Sequence, residues 1–186
     1  MQPPVLHTRR LVLRPLKTQD AEAHRQYIND WEVARYLGPS FPWPYPENGS
    51  KDYIARHMAS DEANLIWAIT MPEKHGDMLL GVIELRPQEK EGQRGFWLGR
   101  PFHNQGIMSE AIAAMNDYWF DVLKRPTLRV ENAQDNGASS RLKVKSGARL
   151  VETTPSRYLD PTFTVSEIWE TTAAAWEAFK KAARGG

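Results

Sequence analysis

The chain contains no cysteine. Disulfides, thiolate zinc sites, iron–sulfur clusters and covalent catalysis through a thiol are therefore excluded. No stretch approaches the ~20 apolar residues of a membrane-spanning helix, so no membrane partner is expected. Charge of one sign is also missing: 24 Lys and Arg stand against 23 Asp and Glu, for a net charge of +1. A nucleic-acid-binding face needs a basic stripe or bias, so no nucleic-acid partner is expected either. A small anionic ligand needs only a local pocket, on which net charge is silent. The opening Met1-Gln2-Pro3-Pro4-Val5 has no basic region followed by an apolar run, so no secretory signal is read and a cytoplasmic location is the expectation. What remains is an ordinary globular composition, 41% hydrophobic and 25% charged, on 186 residues. That length can bury roughly 70% of the unfolded surface in one core. A single domain over residues 6–183 is expected, with flexible ends at 1–5 and 184–186.

Apolar periodicity predicts the elements. Leu11 to Pro15 reads as a strand and residues 20–37 as helix. Four prolines in Gly38 to Pro46 forbid regular structure and leave a stiff aromatic loop carrying Phe41, Trp43 and Tyr45. Residues 47–59 resume a helix. Strands follow at 65–70, 78–85 and 95–98, close enough in sequence for an antiparallel meander. Residues 107–123 form the clearest helix, with apolar positions at three-and-four spacing from Ile107 to Val122. A strand at 127–130, a helix at 137–146, strands at 149–151 and 163–169, and a helical tail at 172–183 complete a mixed α/β domain.

Two segments carry chemistry. Trp97-Leu98-Gly99-Arg100-Pro101-Phe102-His103-Asn104-Gln105-Gly106-Ile107-Met108-Ser109 runs from a strand through a polar turn into the best helix. The first N–H groups of a helix lack internal partners and carry partial positive charge. A glycine there lets a phosphate approach the backbone. Neither the Walker pattern nor the three-glycine dinucleotide fingerprint is present, so the phosphate-bearing ligand is of another kind. Read as structure alone, the same turn simply starts a helix. The second segment is Asp135-Asn136-Gly137-Ala138-Ser139. Asn136 is placed to cap the helix through the N–H of Ser139, with Gly147 as the stop. The Ser139 hydroxyl, at the same helix mouth, is placed to give a proton to a leaving group.

Together these segments resemble the GNAT superfamily of acyl-CoA-dependent N-acetyltransferases, and its RimJ/RimL branch, which acetylates ribosomal-protein N-termini. The family's acetyl-CoA motif, Gln/Arg-x-x-Gly-x-Gly/Ala, reads here as His103-Asn104-Gln105-Gly106-Ile107-Met108; His103 replaces Gln/Arg and Met108 replaces the small residue. The second motif, Asn-x-x-Ser followed by a basic residue and a helix-ending Gly, reads as Asn136 to Ser139 through Lys145-Ser146-Gly147. Thr8 to Pro15, the aromatic–proline loop and the Trp176 helix are similar to that branch as well.

The resemblance implies a GNAT fold: a central, splayed, mixed and mostly antiparallel sheet flanked by helices, with acetyl-CoA as cosubstrate between the fourth and fifth strands and no metal. Backbone N–H groups of His103, Asn104, Gln105, Gly106, Ile107, Met108 and Ser109 would hold the pyrophosphate. The pantetheine arm would pair with backbone near Trp97, Leu98 and Gly99, and Asn136 would hold it from the other side. Ser139 takes the role of general acid, and Tyr158 or Tyr118 could take it instead. The two positions where relatives carry a glutamate base are Gln93 and Arg157 here. Glu84 is therefore chosen as the base, with Glu152, Asp160, His103 or a water relay behind it. The implied reaction moves an acetyl group directly to a primary amine, with no covalent enzyme intermediate. The acceptor is a peptide N-terminus or a small molecule such as an amino acid, polyamine or antibiotic; a CoA-binding module with weak catalysis is the remaining reading. The assembly expected is a monomer or homodimer.

Overall fold

The computed structural model describes residues 2–59 and 64–184. Met1, Gly185 and Gly186, part of the expected flexible ends, lie outside the described residues. Among the described residues, eight strands form two antiparallel sheets. The first has the order β1 (Leu6–His7), β2 (Val12–Pro15), β3 (Leu65–Thr70), β4 (Gly81–Leu85), β5 (Arg94–Leu98). The second has the order β6 (Thr127–Ala133), β8 (Val165–Thr172), β7 (Arg149–Pro155). The meander predicted for β3 to β5 is present, with Trp67 opposite Ile83 and Glu84 opposite Gly95. The short β1 precedes the first predicted strand and shifts the numbering by one.

β3, Leu65-Ile66-Trp67-Ala68-Ile69-Thr70, is buried along its whole length because helices cover both faces. Trp67 and Ile69 join Leu11, Leu13, Ile83 and Leu85 against α5 (Ile107–Asp117). Ile66, Ala68 and Val82 turn the other way, onto Ile54 of α3 (Gly49–Ala59). Trp67 also donates its indole N–H to the Pro4 carbonyl at 2.7 Å, which ties the amino-terminal strap to the core.

The structure divides two of the predicted helices. Residues 20–37 become a 3₁₀ turn (Thr18–Asp20), α1 (Ala21–Ile28) and α2 (Trp31–Ala34). Asp30 makes the break: its carboxylate accepts the Glu32 N–H at 3.1 Å and starts α2 afresh. Residues 107–123 run as α-helix to Asp117 and then widen into a π turn over Tyr118–Val122. One turn of helix, α4 (Pro72–His75), occupies the predicted β3–β4 hairpin connection. α6 (Gly137–Lys145) and α7 (Ala173–Arg184) fall where expected.

The splay is the feature that matters. β5 and β6 meet at one point, where Gln93 N–H donates to the Arg129 carbonyl at 2.9 Å and Gln93 Oε1 accepts the Arg129 N–H at 2.7 Å. Beyond it, among the described residues, no ladder joins them. The sheet opens as a wedge that is closed at Gln93 and Arg129 and open at the carboxyl ends of both strands.

Candidate active site

At the open end stands the turn before α5. Asn104 and Gly106 adopt positive φ, 59° and 74°, and Gly106 is the left-handed N-cap of the helix. Among the described residues, no side chain caps this terminus. The N–H groups of the first turn therefore face the cleft, with the helix dipole behind them. The turn is braced from the amino-terminal strap. Arg10 donates from its backbone N–H and Nε to Glu110 at 2.8 and 2.7 Å, Thr8 Oγ1 adds a bond at 2.6 Å, and Arg10 Nη1 reaches the Gln105 carbonyl at 3.1 Å. Burial pushes the Glu110 carboxyl up, but the hydrogen bonds from Thr8 and Arg10 outweigh it and hold the group below the usual carboxylate range. The brace is not legible in the sequence, because it joins residues a hundred positions apart.

His103 departs from the expectation. Its N–H closes the 3₁₀ turn on the Arg100 carbonyl at 3.1 Å, and its Nε2 bonds the Leu98 carbonyl at 2.8 Å. Neither its N–H nor that ring nitrogen is free for a phosphate or for proton abstraction. Of the residues after it, Asn104, Gly106, Ile107, Met108 and Ser109 line the cleft, and Gln105 does not.

The expected pairing on β5 is corrected by its register. Gly99 N–H donates to the Leu80 carbonyl at 2.9 Å, and the Gln93 carbonyl accepts the Arg86 N–H at 2.8 Å. Backbone groups alternate sides along a strand. Trp97 and Gly99 are thus committed to β4, while Phe96 presents its groups and Leu98 its N–H to the cleft, the Leu98 carbonyl being taken by His103 Nε2. Across the wedge, Asn136 Oδ1 accepts the Ser139 N–H at 3.1 Å, the predicted cap, which leaves its amide nitrogen toward the cleft. Ser139 is buried and its Oγ accepts from Lys143 Nζ at 2.8 Å.

Beside β5 the cleft widens into a basin. The lining includes Phe41 and Tyr45, whose rings stack 5.0 Å apart, together with Tyr53, Trp97, Glu84 and Tyr158. Glu84 is mostly buried and ion-paired with Arg86 beneath Gly95. Trp43 is absent from that wall and packs on Trp31 at 5.2 Å. Tyr158 bonds Ser166 Oγ; burial raises its phenol, so it keeps its proton at neutral pH. Tyr118, Glu152 and Asp160 fall outside the lining. Tyr118 packs edge-on against Trp67, Glu152 is exposed near Arg129, and Asp160 is held by Arg35 at 2.8 Å. The whole cleft has a volume of about 1630 Å³. Among the described residues, no group of three or more metal-ligating side chains is placed to hold a metal ion, and no helix is long and apolar enough to cross a membrane.

His24 carries no signal in the sequence, yet it floors the basin. It bonds Ser50 Oγ at 2.8 Å and lies between Tyr53 and Trp97 at 4.9 and 5.1 Å. Burial pushes its imidazole from the ordinary 6.5 down to about 4, against the pull of Asp20. As pH falls the unfolded chain therefore takes this proton first. The contribution to stability is flat above about 6.5 and declines between about 6.5 and about 4, by ~1.4 kcal/mol per pH unit. Thermal melts at about pH 7.5 and 5 check this. On acidification the wild type is expected to lose ~2 kcal/mol more than His24→Gln; equal losses would contradict the burial argument.

A wedge between two strands, with uncapped helix donors at its mouth and a carboxylate-bearing basin beside it, defines an enzyme that holds a phosphate-bearing arm next to an acceptor. The chain belongs to the acetyltransferase (GNAT) domain family, whose pattern matches residues 10–149. It is 27% identical over 147 residues to the uncharacterized N-acetyltransferase YoaA of Bacillus subtilis (strain 168), covering 77% of this chain and 82% of YoaA. Among solved structures, the ribosomal-protein-S5-alanine acetyltransferase of Vibrio fischeri superposes with a TM-score of 0.74 at 14% identity, over 94% of this chain and 99% of that one. The microcin C7 self-immunity acetyltransferase MccE, in complex with acetyl-CoA and AMP, gives 0.72 at 19% identity, over 89% and 93%. The fold is the GNAT fold and the protein is an acetyltransferase of this family, whose acyl donor is acetyl-CoA. The residues present fit that donor: helix N–H groups without caps suit its phosphates, and the unpaired edge of β5 suits its amide-bearing arm.

Proposed function

We propose that the protein is an acetyl-CoA-dependent N-acetyltransferase of the RimJ/RimL branch, a cytoplasmic enzyme with one catalytic domain over residues 6–183, and that its acceptor is a peptide or protein N-terminal α-amine. The observation that carries this reading is the cleft's size beside its aromatic wall. Small-ligand sites run to ~300–1,000 Å³. About 1630 Å³ leaves room for a nucleotide-bearing cosubstrate and the first residues of a peptide together. The S5-alanine enzyme of similar fold supports the same direction.

In this reading the cosubstrate supplies an activated acetyl thioester. The N–H groups of Asn104 and of Gly106 to Ser109 hold its phosphates, while Phe96, Leu98 and Asn136 hold its arm. The Phe96 N–H donates to the thioester oxygen as charge develops there. An α-amine has a pKa of ~7.7–8.0 and sheds its proton readily; Glu84 accepts it, directly or through water. The amine nitrogen bonds the carbonyl carbon, the carbon–sulfur bond breaks, and Ser139 gives a proton to the departing sulfur. Stacked Phe41 and Tyr45 offer apolar contact at low ordering cost to the first side chain of the acceptor.

Thiol release from acetyl-CoA tests the proposal across a panel: peptides with free N-termini, the same peptides blocked at the N-terminus, free amino acids, polyamines and aminoglycosides. Release with free N-termini that vanishes on blocking is the expected result. Release with small amines alone would replace the peptide by a small-molecule acceptor. Saturable coenzyme A binding with no release from any amine would leave a binding module.

A further inference from the structure

β5 carries a cation that no carboxylate neutralises among the described residues. Arg94 is 5% exposed and lines the cleft. Its Nη1 donates to the neutral Asn116 Oδ1 at 2.6 Å, and its Nε has no partner among the described residues. Burial drags the guanidinium down to about 10, and no carboxylate pulls it back. A second basic group stands behind it. Lys143, 1% exposed, bonds Ser139 Oγ at 2.8 Å and lies 5.8 Å over the Phe96 ring. Burial and then the charge of Arg94 push its amine down, opposed by Glu167 and Glu131. A buried guanidinium beside a second buried basic group, with no ion-paired carboxylate among the described residues, is costly to fold. Such local conflicts collect at functional sites, where a ligand supplies the missing charge.

Position says which part of a ligand that is. Arg94 adjoins Gln93, the last residue bonded to β6 before the strands part, so it sits at the closed end of the wedge. From Leu98, at the open end, back to Arg94 the strand makes four steps, ~13 Å. An arm that enters at the turn and follows β5 therefore brings its acyl end toward Arg94. The carboxylates in the basin do not serve this cation. Glu84 is paired with Arg86 on the opposite face, beneath Gly95.

We propose that Arg94, with Lys143 behind it, forms an anion site at the closed end of the cleft, and that, besides acetyl-CoA, the enzyme takes acyl-CoA donors whose acyl chain ends in a carboxylate, of the succinyl type. The inference rests on the reading of the wedge as the acyl-CoA site. The transfer balances as for acetyl: the amine nitrogen bonds the thioester carbon, carbon–sulfur breaks, the amine loses one proton and the thiolate gains one. The product is an amide bearing a free carboxylate.

The test compares succinyl-CoA with butyryl-CoA, which matches its length but ends in methyl, by calorimetric titration of the full chain. In the wild type the succinyl thioester is expected to bind roughly 10-fold tighter, the scale of one charge-assisted pairing. In Arg94→Met that ratio is expected to collapse to about one, with Arg94→Gln as a second variant should the first fail to fold. Equal or weaker binding of succinyl-CoA to the wild type overturns the proposal without any variant, as does a preference that survives in either variant. If acetyl-CoA binds while the preference is absent, only the anion site falls; if no thioester binds, the reading of the wedge falls with it.

Discussion

Gly106→Val is expected to lose acetyl-CoA binding by on the order of 100-fold, ~2.7 kcal/mol, in a calorimetric titration. Gly106 sits at φ 74°. A non-glycine residue pays ~1–2 kcal/mol there, and a β-branched one more. A Cβ would also stand 3.4 Å from Arg10 Nη2, inside the brace that holds the turn. Relief of that strain rotates the peptide out of the left-handed region and turns its neighbours' N–H groups away from the phosphates. The rest of α5 is locked by Ile107, Ala111, Ile112 and Met115 in the core, so the damage stays local and the melting temperature falls by several degrees without loss of the fold. Unchanged affinity in a folded Gly106→Val would mean that the phosphates are held elsewhere.

Ser139→Ala is expected to lower kcat by ~10- to 100-fold while the KM for acetyl-CoA stays within a few-fold. The loss lies at the low end for general acid catalysis, which contributes ~10²–10⁴, because a thiolate of pKa ~8.5 leaves without much help. The substitution also strips Lys143 Nζ of its 2.8 Å bond, at ~1–3 kcal/mol for a buried group left unpaired. Ser139→Ala combined with Lys143→Met removes both partners and restores that stability. The double variant separates the two effects: if it regains the melting temperature but not the turnover, the hydroxyl acts in the reaction. Full turnover in Ser139→Ala would hand the acid role to Tyr158, whose proton-bearing phenol also lines the cleft.

The features legible in the sequence are local ones. Asn136 and Ser139 are three residues apart, and the cap between them forms whatever the rest of the chain does. Gly106 before an apolar-periodic helix announces an uncapped terminus for the same reason. The meander from β3 to β5 follows from short links between apolar runs. The splay and the acetyl-CoA cleft came from likeness to a family rather than from pattern, whereas Glu84 is chosen from its place in a strand, alternating with Ile83 and Leu85. Where the chain departs from that family, at both base positions, the likeness offered no replacement; Glu84 stands in the basin, but already paired with Arg86.

The sequence by itself determined the mixed α/β class, the glycine turn before α5 and the cap at Asn136, because each is read from residues close together in the chain. Only the tertiary structure decided which β5 groups face the wedge, that His103 spends its N–H and Nε2 on Arg100 and Leu98, and that Arg10 braces the turn through Glu110. It alone brought Arg94 and Lys143 together beside Phe96. Strand register, ion pairing and desolvation depend on residues far apart in the chain, and no local pattern encodes which of them will meet.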